Sequence, residues 1–183
     1  MTKKISVFGG SKPEPGSSTY QDAYELGKLL GSAGMTVLTG GYMGTMEAAS
    51  RGANEAGSHV IGVTSDEVEA WRPAAPNQWI IEEWRFTTYQ ERLYTLVEKC
   101  DAAIALRGGI GTLLEINLAW SKLVINILPP KPLILVGQGW QNIFNTILKE
   151  HGDYIPMETW EYLAFAPDPK SAVEMLNSFL GLS

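Results

Sequence analysis

Along the chain, apolar positions come in short solid blocks separated by longer stretches of helical spacing. KISVFGG (4–10), MTVLTGG (35–41), HVIGVT (59–64), AAIALRGG (102–109) and PLILVG (132–137) are apolar on successive positions, as strands buried on both faces are. WIIEEW (79–84) and EYLAFA (161–166) add a fourth strand and a short last one. Between the blocks the period changes. Tyr20, Ala23, Tyr24, Leu26, Leu29 and Leu30 share one helical face in 17–34, where Ser18 and Gln21 have capping-box spacing and Gly34 a stop. The alanine-rich segment 44–57 predicts a second helix, ending at Gly57. In 87–100, Tyr89, Leu93, Leu96, Val97 and Cys100 line one face, with Arg92 at its edge. Helices are also predicted over 111–123, 140–152 and 168–180. Strand and helix alternate throughout and no linker divides the chain. The expected fold is α/β: a single domain, 1–183, with an open, doubly wound, Rossmann-like parallel sheet and helices on both faces. The rhythm breaks only at 64–79, where Pro73, Pro76 and two tryptophans mark an excursion. It suits a lid over a ligand or a contact with a second subunit.

Composition narrows the function. The 183 residues carry 45% apolar and 19% charged side chains, enough for a core without staples. The net charge is -6, which argues against nucleic acid as a partner. The arginines at 51, 72, 85, 92 and 107 are scattered, so local anion sites stay open. One cysteine, Cys100, allows no intramolecular disulfide; with no leader at the start of the sequence, the expected location is the cytoplasm. No apolar run reaches membrane-spanning length, so no membrane partner is expected. His59 and His151 stand far apart and Cys100 has no His neighbour in sequence, so no metal site is expected and a Cys-His or Ser-His pair is disfavoured. His59, opening a strand after a Gly-Ser turn, has the setting of a structural residue.

The candidate chemistry lies in the glycine turns. Strands end at Gly9–Gly10, Gly40–Gly41 and Gly108–Gly109, where open α/β sheets bind ligands. LTGGYMGTMEAA (38–49) and LRGGIGTLLEIN (106–117) repeat one phrase: strand, glycine turn, Gly-Thr, then a glutamate-bearing helix. Gly44 with Thr45, and Gly111 with Thr112, fill its Gly-Thr positions. Glycine lets the backbone approach a ligand, and the helix N-terminus behind it attracts an anion, most often phosphate. Two such turns at neighbouring strand ends would grip one ligand from two sides. Neither GxGxxG nor GxxxxGK[ST] is present, so a nucleoside monophosphate or similar phosphorylated small molecule fits better than a dinucleotide or triphosphate. Glu115 has two readings. Thr112-x-x-Glu115 has capping-box spacing, yet Glu115 is also a carboxylate on a mostly apolar helix one turn from the cradle. Glu47 has the place of a first-turn helix acid. Arg92 is either a solvated or ion-paired arginine or a guanidinium directed at an anion.

Several of these residues resemble one family. DAAIALRGGIGTLLE (101–115) is similar to the signature of the "lonely guy" (LOG) family, once labelled lysine decarboxylase-like: an aspartate, an apolar strand, then PGGxGTxxE. YQERL (89–93) resembles its arginine motif, residues 7–44 its N-terminal half, and EAGSHVIGV (55–63) its third strand. The resemblance implies a usually dimeric phosphoribohydrolase. Such enzymes split a nucleoside 5′-monophosphate, in plants a cytokinin nucleotide, into free base and ribose 5-phosphate. It further implies Arg92 and Glu115 as the catalytic pair, Gly108, Gly109, Gly111 and Thr112 around the phosphate, a homodimer or higher homo-oligomer, and no cofactor or metal. A carboxylate suits the positive charge that develops on ribose as the N-glycosidic bond breaks. A decarboxylase would need pyridoxal phosphate on a lysine, and no lysine is expected at the glycine turns. The departures are Arg107 in place of the proline, Leu93 after the arginine, and Leu114 where the hydrolases carry a first glutamate. GTMEAA (44–49) looks more like a sister branch similar to molybdenum cofactor carriers, which hold a phosphorylated pterin without chemistry. Arg107 beside the cradle suits extra negative charge in either.

Overall fold

The computed structural model describes residues 2–182. Seven strands form one parallel sheet in the order β4-β3-β2-β1-β5-β6-β7. They are β1 (Lys4–Phe8), β2 (Thr36–Thr39), β3 (Val60–Ser65), β4 (Glu82–Phe86), β5 (Ala102–Ala105), β6 (Leu133–Val136) and β7 (Leu163–Ala166). The helices are α1 (Ser18–Ser32), α2 (Thr45–Glu55), α3 (Asp66–Trp71), α4 (Tyr89–Glu98), α5 (Ile110–Val124), α6 (Gln138–His151) and α7 (Pro169–Leu180).

The solid apolar blocks have a direct cause. Successive strand residues point to opposite faces, and helices cover both. Val7, Ile104 and Ile134 join a core under α1, α2 and α7. Their neighbours Phe8, Ala103, Ala105, Leu133 and Leu135 join a second core with Leu96, Ile116 and Phe144 of α4, α5 and α6. β1 lies at the centre, pairing with β2 through Ile5↔Val37 and with β5 through Val7↔Ile104. Strand order reverses between these two neighbours, which opens a crevice at their carboxyl ends.

Four expectations shift. Ser17, not Ser18, caps α1, its Oγ accepting from the Tyr20 N–H at 3.3 Å. The fourth strand begins at Glu82 rather than Trp79 and forms a largely exposed edge. The 64–79 excursion contains a short helix, α3. Two 3-10 turns, Gly152–Tyr154 and Met157–Tyr162, fill the approach to β7. Among the described residues no helix is long and apolar enough to cross a membrane.

Candidate active site

The turns after β1 and β5 meet at the reversal point. The Gly10 N–H donates to the Arg107 carbonyl at 3.1 Å, and the Thr45 N–H to the Gly10 carbonyl at 2.9 Å. Above them lies a cleft of about 1170 Å³. Its walls are the β1–α1 turn, the start of α5 with Glu115, Tyr89 and Arg92 of α4, and α3 with Arg72.

The third glycine turn has the geometry to hold an anion. Gly109 is the N-cap of α5 and no side chain caps this helix, so its first N–H groups are free for a ligand. Gly109 and Gly111 have open space where a Cβ would be. Thr112 is buried beneath the turn, and a Cβ on Gly108 would collide with its hydroxyl. The expected capping box of Thr112 and Glu115 is therefore not formed: Thr112 packs under Gly108, and Glu115 turns to the cleft. There it is half-buried, and loss of water pushes its carboxyl up to about 7, against the opposing pull of Arg92.

Arg92 is buried, not solvated. Its Nε donates to the Val63 carbonyl at 2.8 Å and its Nη2 to the Gly40 carbonyl at 3.0 Å. Its guanidinium carbon lies 5.6 Å from the centre of the Tyr42 ring. Carbonyls at the ends of β3 and β2 thus hold the charge in place while the side chain borders the cleft. Burial lowers its proton affinity, and Glu115, Tyr42 and Tyr89 oppose that shift. The Tyr89 hydroxyl is raised by burial first and by Glu115 second, which places all three groups in one electrostatic unit.

The remaining expected residues divide. Gly9, Gly10 and Arg107 line the cleft, Arg107 exposed at its lip. Gly40, Gly41, Gly44 and Thr45 lie beneath it as packing residues. A Cβ on Gly40 would fall on the Arg92 guanidinium, one on Gly41 would meet Thr64, and one on Gly44 the Ser11 backbone. Thr45 packs against Gly9. Glu47 accepts from the Tyr20 hydroxyl at 3.3 Å. Neither histidine nor Cys100 lines the cleft. Lys12 does, two residues beyond Gly10, contrary to the expectation that no lysine stands by the glycine turns. Trp71 and Arg72, in the excursion read as a lid or a subunit contact, line the cleft; sequence reasoning passed over Tyr42 and, as a site residue, Tyr89. Of these two, Tyr89 left a signal: it precedes Arg92 by three and so shares its helix face.

The SLOG cluster4 family profile matches residues 2–162. A probable cytokinin riboside 5′-monophosphate phosphoribohydrolase from Oryza sativa subsp. japonica is 30% identical over 184 residues, covering 97% of this chain and 71% of the relative. A cytokinin riboside 5′-monophosphate phosphoribohydrolase from Arabidopsis thaliana is 31% identical over 184 residues, covering 97% and 83%. Among solved structures, a molybdenum cofactor binding protein from Rippkaea orientalis superimposes with a TM-score of 0.77 at 26% identity, covering 98% of each chain.

Proposed function

The chain belongs to the SLOG cluster4 family and to the LOG family, and on that premise we propose that it is a nucleoside 5′-monophosphate phosphoribohydrolase. The observation that carries this reading is the convergence of Glu115 and Arg92 on one cleft, with the carboxyl pushed up to about 7. The 5′-phosphate sits on the free N–H groups of α5, which sets the ribose against Glu115. As the bond from C1′ to the base nitrogen lengthens, positive charge grows on the sugar and the Glu115 carboxylate stabilises it. The same carboxylate orients water and takes its proton as the oxygen bonds to C1′; the electron pair of the broken bond goes to the base nitrogen, which receives that proton from Glu115 through solvent, restoring the carboxylate. Arg92 holds the anion or the departing base. Homodimerisation and a cytoplasmic location belong to the same proposal; for the first, light scattering is expected to give twice the 20.0 kDa chain mass.

The test is incubation with AMP and related 5′-monophosphates, with free base followed by chromatography. Wild type is expected to release base, and Glu115→Gln to retain nucleotide binding while losing hydrolysis. Equal activity in the variant would remove Glu115 from the chemistry. A carrier reading draws on one observation, the end-to-end likeness to the molybdenum cofactor binding protein. It expects tight binding of a phosphorylated ligand and no base release by wild type.

A further inference from the structure

Trp71, the last residue of α3, is 77% exposed, although tryptophan is on average a highly buried residue. Among the described residues it is the one tryptophan that lines the cleft. Its helix turns no side to a core, since none of the residues of α3 is buried. Instead Glu67, Val68, Trp71 and the C-cap residue Arg72 all line the cleft. The apolar pair Val68 and Trp71, three residues apart on one helix face, is thus presented to the site. The other aromatic rings there are less open: Tyr42 is buried beside Arg92, and Tyr89 is half-buried.

Trp71 is also held in place. The Arg72 guanidinium carbon lies 5.4 Å from the centre of its ring, and Arg72 Nη1 donates to Ser11 Oγ at 3.3 Å. Ser11 follows Gly10, whose N–H bonds to the Arg107 carbonyl beside the Gly108–Gly109 turn. At the other end of α3, the Glu67 carboxylate accepts the Tyr89 N–H at 2.7 Å. The helix therefore spans the wall between α4, which carries Arg92, and the β1–α1 turn. A phosphate on α5 and a ribose against Glu115 leave the base of a nucleotide to be placed. At about 1170 Å³ the cleft has room for all three parts. Every base has a π-face, and stacking on an aromatic side chain needs no particular hydrogen-bond pattern.

We propose that Trp71 is the platform on which the base of the bound nucleoside 5′-monophosphate stacks, and so a determinant of specificity for the ligand's aromatic part. This rests on the reading of the cleft as a nucleotide site. The probes are AMP and ribose 5-phosphate, which lacks the base, titrated calorimetrically into Glu115→Gln so that AMP stays intact. Trp71→Ala and Trp71→Phe are each added to that parent. The parent is expected to bind AMP about tenfold tighter than ribose 5-phosphate. Trp71→Ala is expected to erase that preference while its affinity for ribose 5-phosphate stays within about twofold. Trp71→Phe keeps a ring and is expected to stay within about threefold of the parent on AMP. Stacking has its own signature as well. AMP is expected to quench tryptophan emission in the parent and not in Trp71→Phe, and ribose 5-phosphate in neither. An unaltered AMP affinity in Trp71→Ala overturns the proposal, as does quenching that survives Trp71→Phe, or a parent that binds AMP no tighter than ribose 5-phosphate. An equal loss on both ligands also overturns it, and a lower mass in light scattering would then mark Trp71 as a subunit contact. AMP hydrolysis by wild type is scored separately: absent base release would refute the hydrolase while leaving the stacking result to stand or fall by itself.

Discussion

At the scale of single residues, the proposed chemistry turns on the protonation of Glu115. Burial raises its carboxyl to about 7, so the carboxylate proposed to stabilise a cationic sugar accumulates only as pH rises through that value. The rate of base release at saturating substrate is expected to climb between about pH 6 and 8 with a midpoint near 7. A profile flat across that range would detach the chemistry from this group. The same shift acts on stability. The folded pKa lies above the ordinary 4.5, so folding favours the neutral acid. Below the unfolded value both states are protonated and this group has no effect. Its penalty then grows as pH rises and is complete above about 7. Glu115→Gln lacks that penalty, so it is expected to match wild type near pH 4 and to be more stable at pH 8 by up to roughly 3 kcal/mol. Denaturant melts at the two pH values measure the difference. Glu115 and Arg92 were both legible in the sequence as candidates. What spacing did not decide was whether Glu115 caps the helix or faces the cleft, because the outcome depends on Thr112 being needed under Gly108, a contact made in three dimensions.

At the scale of elements, two glycines of similar motif have opposite duties. Gly40 ends β2 where the Arg92 guanidinium passes, and an added Cβ would displace that side chain. Gly40→Ala is expected to cost about 1–3 kcal/mol of stability and at least about tenfold in hydrolysis. Gly109 has φ -108° and open space around it, so Gly109→Ala is expected to melt within about 1 kcal/mol of wild type. Thermal denaturation of both separates a packing glycine from a ligand-facing one; matching losses would contradict the division. The major elements were readable because a two-sided sheet writes apolar blocks and its covering helices write stripes. The excursion was not. Six residues of α3 hold too few turns for a period to show, and so short a helix relies on tertiary support. Arg85 of β4 provides it, meeting Glu69 at 2.7 Å and Asp66 at 2.8 Å. Asn77 ties the return path down, its N–H donating to the Gly41 carbonyl at 2.8 Å.

At the scale of the whole molecule, strand order decides which glycine turns cooperate. The repeated phrases at 38–49 and 106–117 suggest a grip by those two turns. Instead β1 stands between β2 and β5, so the first turn meets the third, and the second braces Arg92 from one strand away. Order within a parallel sheet is set by crossovers that no local pattern records. The same arrangement concentrates four cations in the cleft of a chain whose net charge is -6. An anionic ligand is thus repelled at long range and attracted at short range. Salt screens charges farther apart than about 10 Å at 0.1 M, and weakens exposed contacts most. Arg107, exposed at the lip, is the cation most open to screening, whereas Arg92 is sheltered. Affinity for AMP is therefore expected to fall severalfold between 0.05 and 0.5 M NaCl, and affinity for adenosine to stay nearly constant. Arg107→Ala is expected to weaken AMP binding at low salt by about threefold to tenfold and to flatten its salt dependence. Calorimetric titrations across the salt series measure both effects. Equal slopes for Arg107→Ala and wild type would mean that the lip arginine does not face the phosphate and that the inner cradle alone holds it.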